Sequence, residues 1–456
     1  MRYDAVVIGS GQGGNPLAFR FADHGWRVAL VEQSQVGGTC INWGCTPTKA
    51  MVHRAQVARY ARDAARWGVR ARDVSVDLGA VVEQTQKVVE GFRAGIEKQL
   101  GRRPTLRLVR ARARLVGPNR VEAGGETLET SRIFLDTGSR PHVPRIPGLE
   151  EAGYLTNVEI LRVSRLPEHL IVLGGGYVGL EFAQMFRRFG SRVTVIHNGT
   201  QLLPREDAEV AAALQAALEE EGISFRLGAR TSRVERDSSG VSLSLDGAAE
   251  RETVRGSDLL VATGRRPNTD ALGLETAGVE VDERGYIRVN EKLETTASGI
   301  WALGDVKGGP AFTHISYNDF QILHGNLIEG RDLSTEGRIV PYCVFTDPQL
   351  GGVGMTEREA RAKGKRLKIG RIPMSRVARA VERDETAGMM KIVVDAESDR
   401  VLGASILGSE GGELVQILST LILADRPYTL LKGAIYIHPT LAEGFFALMN
   451  DVKPVE

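Results

Sequence analysis

The sequence predicts an α/β fold in which two dinucleotide-binding domains are combined with a C-terminal α+β domain. The chain has 456 residues, which is enough for about three domains of ~150 residues. Glycine accounts for 53 of these residues, well above the average usage of about 7 %. This excess indicates many tight turns between strands and helices. The third observation is a glycine motif that occurs twice in the same local context.

The glycine motif belongs to an internal repeat. Residues 4–14 and 169–179 each form a short apolar run that ends in Gly-x-Gly-x-x-Gly. One offset carries the first set of glycines onto the second, namely Gly9, Gly11 and Gly14 onto Gly174, Gly176 and Gly179. The same offset aligns 27–32 with 192–197, which predicts a strand, a turn, a helix and a second strand in each copy. Such glycines let the backbone approach a pyrophosphate at a helix N-terminus, so the repeat predicts two Rossmann-like dinucleotide-binding domains.

The two copies differ at the end of their second strand. The first has Glu32 there, a carboxylate that can accept hydrogen bonds from a ribose diol. The second has His197, so the acid that favours an unphosphorylated ribose is absent. Arg192 and Arg205 lie nearby in the sequence, either as partners of a 2′-phosphate or as solvated surface charges. This difference favours NADPH over NADH at the second site.

A pair of cysteines predicts a redox centre. Cys40 and Cys45 lie in the segment 37–49, GGTCINWGCTPTK, on a turn that is expected to enter a helix. A helix N-terminus stabilises a thiolate, as a redox dithiol requires. The alternatives are two unrelated buried thiols or a zinc site, and no second Cys/His pair stands at ligand spacing to support zinc.

Composition and charge exclude several functional classes. The 58 basic residues nearly balance the 57 acidic ones, so no global field favours nucleic acid or an anionic membrane. No apolar run reaches the ~18 residues of a membrane span. A strand-like run begins directly after the first few residues, and three cysteines are too few for a secreted disulfide scaffold. A cytoplasmic protein without a signal peptide is therefore expected, with no nucleic-acid or membrane partner.

Five motifs resemble those of the class I pyridine nucleotide-disulfide oxidoreductases, the flavoprotein disulfide reductase family. They are CINWGCTPTK (40–49), GGGYVGLE (174–181), TGRRPN (263–268), ALGD (302–305) and HPTLAE (438–443). The resemblance covers essentially the whole chain and is closest to mercuric reductase-like and reactive-chlorine- or copper-responsive reductases. It implies FAD and NAD(P) as cofactors, a C-terminal dimerisation domain, and a homodimer whose active site is shared between subunits.

The resemblance implies cofactor-binding roles at the matching positions. For FAD these are Gly9, Gly11, Gly14, Glu32, Gly38, Thr39, Lys49, Thr137, Gly138 and Asp305. For NAD(P) they are Gly174, Gly176, Gly179, His197 and Gly264. No resident metal ion is implied, although Cys40 and Cys45 could hold a substrate metal ion transiently.

The resemblance also implies the roles of the two paired cysteines, whereas the third is interpreted separately. Cys40 and Cys45 are expected to form the redox disulfide, with Cys45 as the thiolate beside the flavin once the pair is reduced. Cys40 would be the exposed sulfur that attacks the substrate. Cys343, in the segment PYCVFTDP, is interpreted as a core thiol.

Two further pairs of residues match catalytic positions of the family. Lys49 and Glu181 correspond to an ion pair beside the flavin N5. His438, oriented by Glu443, is expected to shuttle protons to and from the interchange thiol, a role that suits an imidazole. In the family this pair comes from the opposite subunit, which makes the active site a property of the dimer.

These patterns divide the chain into discontinuous domains. Residues 1–149 are predicted to form the first FAD segment, with a helical excursion around 50–100. Residues 150–267 are predicted to bind NAD(P), and 268–336 to return to the FAD domain. Residues 337–456 are predicted to form the interface domain, with strand-like segments MMKIVVD and VLGASILG. An apolar helix face there, which the resemblance implies lies in the dimer interface, consists of Leu414, Ile417, Leu418, Leu421 and Ile422.

The electron acceptor is left open by two departures from the family pattern. Mercuric reductases typically carry a vicinal cysteine pair near the C-terminus, whereas no cysteine follows Cys343. Dihydrolipoamide dehydrogenases usually have a further histidine where Tyr436 stands and an acid where His197 stands. The predicted function is an FAD-dependent NAD(P)H oxidoreductase that passes two electrons through the cysteine pair to a thiophilic metal ion or a disulfide. The alternatives are a dihydrolipoamide dehydrogenase and, from another class, a flavin-bound redox sensor.

Overall fold

The computed structural model describes residues 1–246 and 251–455 of the chain. Residues 247–250, in the predicted NAD(P) domain, and Glu456, at the end of the predicted interface domain, lie outside the described residues. No helix of the described ranges is both long and apolar enough to cross a membrane. The chain is organised in two compact units. The first comprises Met1–Met51, Gly79–His142 and Gly264–Arg338, and the second comprises Val52–Leu78, Val143–Thr263 and Ile339–Glu456.

The first unit is built on a five-stranded parallel sheet. Its strands are β1 (Ala5–Ile8), β2 (Val28–Glu32), β3 (Leu106–Arg110), β7 (Ile133–Leu135) and β17 (Ile300–Ala302), in the order β17-β7-β1-β2-β3. β1 and β7 are buried along their whole length, which is why AVVI and IFL are continuous apolar runs rather than alternating ones. The register pairs Ala5 with Val28 and Val6 with Ile133. This sheet confirms the first predicted Rossmann-like fold.

Helices and small antiparallel sheets complete the first unit. Its helices are α1 (Gly14–Asp23), α2 (Gly38–Asn42), α4 (Leu78–Gly101) and α8 (Thr313–Leu327), and the chain passes into the second unit within α3 (Cys45–Arg62). The small sheets contain β4 (Ala113–Gly117), β5 (Arg120–Ala123) and β6 (Glu126–Glu129), and separately β8 (Ser139–Pro141) and β16 (Arg265–Pro267). α3 and α4 form the helical excursion that the sequence predicts around 50–100.

The N-terminal part of the second unit repeats the parallel architecture. β9 (His169–Leu173), β10 (Arg192–His197), β11 (Ile223–Leu227) and β15 (Asp258–Val261) form a parallel sheet in the order β11-β10-β9-β15. Its helices are α5 (Leu149–Ala152), α6 (Tyr177–Phe189) and α7 (Ala208–Glu220). A three-stranded antiparallel sheet contains β12 (Arg230–Asp237), β13 (Gly240–Asp246) and β14 (Arg251–Gly256). The parallel sheet confirms the second predicted Rossmann-like fold.

The C-terminal part of the second unit is an α+β structure, as predicted. Its antiparallel sheet has the strands β18 (Tyr342–Val344), β19 (Gln349–Gly354), β20 (Leu367–Pro373), β21 (Met389–Asp395), β22 (Val401–Gly408) and β23 (Lys453–Val455). The strand order is β18-β19-β22-β21-β20-β23. The helices are α9 (Glu357–Ala362), α10 (Ala378–Glu382), α11 (Gly411–Leu423), α12 (Thr429–Lys432) and α13 (Gly444–Asn450).

The apolar face of α11 packs mainly into the core of its own unit. Leu414, Leu418 and Leu421 are buried there, and Ile417 and Ile422 pack against the edge of the same cluster. The expectation that this face forms the dimer interface is therefore wrong for the three leucines, because they cover the six-stranded sheet. Among residues 339–455, the exposed large apolar side chains are Val381, Leu423, Leu430, Ile435, Ile437 and Phe446.

Lys391 is a charged residue in the middle of β21 and is only 2 % exposed. Its Nζ atom lies 2.8 Å from Asp207 Oδ2, 2.5 Å from Glu209 Oε1 and 2.8 Å from Glu357 Oε2. Burial opposes the charge, but the hydrogen bonds to these three carboxylates outweigh it and raise the pKa of Lys391. This lysine–carboxylate cluster joins β21 to the N-terminal ends of α7 and α9.

Candidate active site

The cysteine pair lies where a short helix is followed by a long one. Cys40 lies in α2, and Cys45 is the first residue of α3. Gly44 allows the tight turn between them, because a Cβ atom there would lie 2.9 Å from the carbonyl oxygen of Thr39 and 3.3 Å from the Cα of Cys40. The pair lies on a turn that enters a helix, as expected. The exposed cysteine is Cys45, however, whereas Cys40, the expected exposed sulfur, is half-buried.

The pKa of the Cys40 thiol is raised above its ordinary value. The hydrogen bond to Cys45 is the largest cause that raises the pKa of Cys40, and burial and the charge of Cys45 raise it further. Thr313 and Lys49 act in the opposite direction, without reversing the shift. The Oγ1 atom of Thr313 lies 3.2 Å from the Sγ atom of Cys45. The Cys40 thiol therefore holds its proton more strongly than an ordinary cysteine. The N-terminus of α3 favours a thiolate at Cys45.

The first glycine motif forms a loop in which a side chain is excluded at Gly9 and Gly14. Gly9 has a φ angle of +104°, and a Cβ atom there would lie 2.2 Å from the carbonyl oxygen of Asp136. A Cβ atom on Gly14, the first residue of α1, would lie 2.2 Å from the carbonyl oxygen of Gly9. The glycines thus leave the backbone of the loop accessible to a ligand, and the N-terminus of α1 favours an anion there.

The Glu32 carboxylate is fixed beside this loop. Its Oε2 atom accepts hydrogen bonds from the backbone N–H of Ser10 (3.0 Å) and from the hydroxyl of Ser10 (2.7 Å). Its Oε1 atom accepts one from the N–H of Ser34 (2.8 Å). Gly38, at the start of α2, approaches so closely that a Cβ atom would lie 2.8 Å from the Cα of Gly11. A backbone cradle and a fixed carboxylate at a strand end fit the diphosphate and the adenosine ribose of FAD.

Asp305 lies beside the segment that follows β7. Its Oδ2 atom accepts a hydrogen bond from the hydroxyl of Ser139 at 2.5 Å. Arg265 donates to the same hydroxyl at 2.7 Å, and its Nε atom lies 3.7 Å from Asp305 Oδ2. Gly138 has a φ angle of +66°, which favours glycine. All the predicted FAD residues belong to the first unit. They are Gly9, Gly11, Gly14, Glu32, Gly38, Thr39, Lys49, Thr137, Gly138 and Asp305.

The second glycine motif repeats the geometry of the first. Gly174 has a φ angle of +123°, and a Cβ atom there would lie 2.3 Å from the carbonyl oxygen of Ala262. A Cβ atom on Gly179 would lie 2.1 Å from the carbonyl oxygen of Gly174. Within the described ranges, no atom lies within 4 Å of a Cβ atom built on Gly176. This open backbone fits the diphosphate of a pyridine nucleotide.

His197 ends β10 beside the second loop. Its Nε2 atom would lie 2.7 Å from a Cβ atom on Gly199, and its Cγ atom would lie 2.9 Å from one on Gly175. Nε2 is buried and has no hydrogen-bond partner among the described residues, and burial lowers the pKa of His197. Arg192 begins the same strand and pairs with Glu168 at 3.0 Å. Its nearness to His197 holds only in the sequence, because the two residues lie at opposite ends of one extended strand.

Arg205 and Gly264 are the two other residues that the sequence connects with the nicotinamide site. Arg205 is exposed in the segment between β10 and α7. Gly264 has a φ angle of +115° and is the first residue of a segment that belongs to the first unit. The remaining predicted NAD(P) residues, namely Gly174, Gly176, Gly179 and His197, belong to the second unit.

Glu181 is held in place by the loop that follows β18. Glu181 lies in α6, is 3 % exposed, and accepts a hydrogen bond from the backbone N–H of Phe345 at 2.9 Å. Gln184 donates to the carbonyl oxygen of Asp347 at 2.7 Å and accepts from its N–H at 2.8 Å. This support was not predicted, because residues so distant in the sequence carry no common pattern. Lys49, the predicted partner of Glu181, lies in α3, one turn after Cys45.

His438 and Glu443 form a hydrogen-bonded pair. The Nδ1 atom of His438 lies 2.9 Å from Oε2 and 3.1 Å from Oε1 of Glu443. The His438 side chain is 68 % exposed, so the imidazole is presented at the surface of its own chain. Tyr436 faces the other way, since its hydroxyl donates to the carbonyl oxygen of Leu431 at 2.9 Å.

Cys343 is the third cysteine of the chain, and its side chain is closely packed. Cys343 is half-buried in β18, and its Sγ atom would lie 2.7 Å from a Cβ atom on Gly412. This close packing supports its interpretation as a core thiol. Among residues 1–246 and 251–455, no group of three or more His, Cys, Asp and Glu side chains could hold a metal ion.

Sequence reasoning missed one buried acid below the first loop. The Oδ2 atom of Asp136 accepts a hydrogen bond from the N–H of Gly14 at 2.8 Å. The signal that could have found it is a comparison of the two repeats, because DTG at 136–138 corresponds to ATG at 262–264.

Comparisons with known proteins show the family of the chain. Residues 3–319 match the family described as pyridine nucleotide-disulphide oxidoreductase, and residues 340–448 match its dimerisation domain. The probable pyridine nucleotide-disulfide oxidoreductase RclA of Escherichia coli is 36 % identical over 99 % of this chain and 100 % of its own length. A dihydrolipoyl dehydrogenase of Thermus scotoductus is 38 % identical over 97 % of this chain and 95 % of its own. A mercuric reductase of Lysinibacillus sphaericus is 33 % identical over 97 % of this chain and 81 % of its own.

Solved structures give the same result. The HOCl-induced flavoprotein disulfide reductase RclA from Escherichia coli superimposes with a TM-score of 0.90 at 36 % identity. The match covers 99 % of this chain and 100 % of that chain. The Cu(II) complex of the same reductase matches equally well, with a TM-score of 0.90 at 36 % identity.

Proposed function

Because the chain belongs to the pyridine nucleotide-disulfide oxidoreductase family, we propose that it passes two electrons from NADPH to the Cys40–Cys45 disulfide and on to an external acceptor. It is an oxidoreductase of the flavoprotein disulfide reductase class and uses FAD and a pyridine nucleotide. FAD held by the Gly9–Gly14 loop would supply the two-electron transfer between the nicotinamide and the disulfide. The observation that carries the proposal is the dithiol at the start of α3. The pKa of its Cys40 thiol is raised, and its Cys45 lies at the N-terminus of the helix.

The two sulfurs have separate tasks in this proposal. Cys45 carries the thiolate, because Cys40 holds its proton more strongly and Cys45 lies at the N-terminus of a long helix. Cys40 is the interchange sulfur and attacks the acceptor after it loses its proton. Re-formation of the disulfide releases two electrons and two protons, which matches one Hg(II) reduced to Hg(0), two Cu(II) reduced to Cu(I), or one disulfide reduced to two thiols.

His438 and Glu443 are the proposed proton shuttle. Their hydrogen bond fixes the ring, and the exposure of His438 leaves the imidazole available to a second chain. The chain carries a dimerisation domain at 340–448, which supports a homodimer. We therefore assign this pair to the dithiol of the opposite subunit. Lys49 and Glu181 are proposed as the ion pair beside the flavin.

The cofactor assignments follow the two glycine loops. We place FAD on the Gly9–Gly14 loop with Glu32 at its ribose, and the pyridine nucleotide on the Gly174–Gly179 loop. NADPH is the proposed electron donor, because His197 has a buried ring nitrogen without a partner where an acid would repel a 2′-phosphate. The proposed domain boundaries are 1–149 and 268–336 for FAD, 150–267 for NAD(P), and 337–456 for the interface.

We rank a thiophilic metal ion and a disulfide together as the acceptor class. Mercuric reductases among the relatives and the Cu(II) complex of the similar reductase favour the metal ion. No cysteine follows Cys343, so Cys40 and Cys45 would themselves have to bind the ion. A dihydrolipoamide dehydrogenase is the second candidate, favoured by the His438–Glu443 pair and by the relative from Thermus scotoductus. A redox sensor is the weakest candidate, because it would not need a proton shuttle.

Anaerobic stopped-flow spectroscopy tests the proposal. The oxidised protein is reduced by NADPH or NADH and then mixed with Hg(II), Cu(II), lipoamide or a low-molecular-weight disulfide. The expected result is rapid reoxidation by at least one metal ion or disulfide, with loss of that reoxidation in the Cys40→Ser variant. Fast reduction of the oxidised protein by dihydrolipoamide, with slow reduction by both nucleotides, would favour the dehydrogenase instead. Absence of turnover with every acceptor would favour the sensor.

A further inference from the structure

Asp136 is a buried carboxyl group in the centre of the first glycine loop. It directly follows β7 and is 6 % exposed. Its Oδ2 atom accepts a hydrogen bond from the N–H of Gly14 and would lie 2.6 Å from a Cβ atom on Gly11. Its Oδ1 atom would lie 2.8 Å from a Cβ atom on Gly304. The carboxyl therefore fills the space that three glycines leave open.

The second glycine loop provides an internal comparison. Ala262 occupies the place of Asp136, since its carbonyl oxygen packs against Gly174 as that of Asp136 packs against Gly9. A methyl group leaves the space beside Gly176 open, whereas the carboxyl of Asp136 closes the corresponding space beside Gly11. The carboxyl is thus not needed to build such a loop. It is an addition to the first copy alone.

The surroundings of Asp136 oppose a negative charge. Burial is the largest cause that raises its pKa well above the ordinary value, and the hydrogen bond from Gly14 only partly offsets it. The acids that face it from neighbouring elements, Asp305, Asp319 and Glu32, raise the pKa further. The nearby cations are engaged by those acids: Lys307 lies 3.3 Å and Arg338 2.7 Å from Asp319, and Arg265 lies 3.7 Å from Asp305.

An anion bound at the N-terminus of α1 would meet this carboxyl directly. Gly14 N–H is the first amide of the helix, and Asp136 already accepts its hydrogen bond. A diphosphate and an ionised carboxylate at one helix end repel each other in a site with little water. A neutral carboxylic acid instead offers an O–H donor to a phosphate oxygen while its other oxygen keeps the bond from Gly14.

We propose that Asp136 is a further residue of the FAD site, which binds the FAD diphosphate as a neutral acid, so that FAD binding takes up one proton from solvent at any pH at which Asp136 is ionised in the flavin-free protein. The proposal rests on the proposed position of FAD on the Gly9–Gly14 loop. At alkaline pH, where Asp136 is ionised in the flavin-free protein, that protein, one proton and FAD give the complex with protonated Asp136. At a pH at which Asp136 is already neutral, FAD binds without proton uptake. No bond to FAD other than a hydrogen bond is formed.

Titration of the full-length, flavin-stripped protein with FAD tests this proposal. Flavin fluorescence gives the affinity between weakly acidic and alkaline pH, and calorimetry in two buffers of different ionisation enthalpy counts the protons taken up. The wild type should lose up to about tenfold in affinity per pH unit in the range where the flavin-free Asp136 is ionised. Asp136→Asn keeps a hydrogen-bond donor and should bind tightly with no proton uptake. Asp136→Ala, which introduces the side chain that Ala262 has in the second loop, should bind more weakly and also without proton uptake.

Controls separate the inference from the proposed site. Asp4→Asn removes an exposed carboxylate of the same unit and should keep the wild-type pH dependence. Equal proton uptake in the wild type and in both Asp136 variants would overturn the inference but leave the FAD site standing. Failure of the wild type to bind FAD would overturn both. If the variants do not fold, the infrared difference between FAD-bound and FAD-free wild type decides at the alkaline pH at which proton uptake is expected. The absence of a new protonated-carboxyl band on binding at that pH would overturn the inference.

Discussion

The Nδ1 atom of His438 lies 2.9 Å from the Oε2 atom of Glu443, five residues further along the chain. The carboxylate accepts a hydrogen bond from Nδ1, so the ring orientation and the tautomer are both fixed. The other ring nitrogen is then the one that exchanges protons with a reacting thiol. This geometry supports the proposed acid–base role of His438.

His438→Ala should reduce the turnover of a disulfide acceptor much more than that of Hg(II) or Cu(II). A disulfide leaves as a thiolate that must be protonated, and loss of acid–base catalysis typically costs ~10²–10⁴-fold. A thiophilic metal ion binds thiolates directly and needs fewer proton transfers. Steady-state turnover with each acceptor measures the difference, and stopped-flow reduction of the flavin by NADPH should stay near normal. Tyr436→Phe, with its hydroxyl turned to Leu431, is the matched control.

The proposal that His438 serves the dithiol of the opposite subunit has its own test. Neither His438→Ala nor Cys40→Ser homodimers contain an intact disulfide-reducing site. In a heterodimer, the Cys40 of one subunit meets the His438 of the other, and about one site per heterodimer should recover. Disulfide turnover after mixing and subunit exchange measures this rescue. No recovery despite demonstrated exchange would mean that His438 serves no dithiol of the partner.

Cys45→Ser and Cys40→Ser should have opposite effects on the spectrum of the two-electron-reduced protein. The wild type should show a long-wavelength charge-transfer band between a thiolate and the flavin. Cys45→Ser should abolish the band, because Cys45 carries the thiolate, whereas Cys40→Ser should retain or strengthen it. Anaerobic titration with dithionite and absorption spectroscopy give the answer. The reverse pattern would exchange the roles of the two sulfurs.

His197→Glu should shift the preference from NADPH toward NADH. The new carboxylate can accept hydrogen bonds from an unphosphorylated ribose and repels a 2′-phosphate. The concentration of each nucleotide that half-saturates flavin reduction measures the preference. Arg192→Ala should leave the preference unchanged, because Arg192 pairs with Glu168 at the far end of β10. A wild type that strongly prefers NADH would contradict this interpretation of His197.

Lys391→Met should lower the free energy of unfolding by ~3–5 kcal/mol, because it leaves three carboxylates together without their buried cation. Urea unfolding followed by circular dichroism measures this loss. Lys368→Met is the control in the neighbouring strand β20, since Lys368 pairs with Asp399 at the surface and should change the stability little. Similar effects of the two substitutions would show that the cluster around Lys391 is not a stabilising unit.

The repeated glycine loops could be predicted because their sequence has only one structural explanation. A Cβ atom on Gly9 or Gly14 would lie 2.2 Å from a carbonyl oxygen, and the corresponding distances for Gly174 and Gly179 are 2.3 and 2.1 Å. No other residue fits such positions, so the spacing alone defines the turn. The redox turn is similar, since Gly44 lies between the two cysteines.

The other features could not be predicted from the sequence, because they depend on contacts between segments that are distant along the chain. Asp136 could not be interpreted from DTGS, which has the composition of an ordinary turn, because its environment comes from Gly14 and Gly304. Lys391 lies in an otherwise apolar strand and would be taken for a solvated edge residue without its partners from α7 and α9. Arg192 shows the opposite error. It is close to His197 in the sequence, but the length of β10 separates the two residues in the structure.

The lysine–carboxylate cluster also limits how this protein can be recombined with its relatives. Asp207 and Glu209 come from the segment that begins α7, whereas Lys391 comes from β21 in the C-terminal sheet. A chimaera with a crossover between residues 209 and 391 would inherit half of the cluster from each parent. It would carry a buried ammonium or buried carboxylates without partners unless both parents had the same set. Crossovers outside this interval keep the charges together and are the better choice for exchanging nucleotide specificity between reductases.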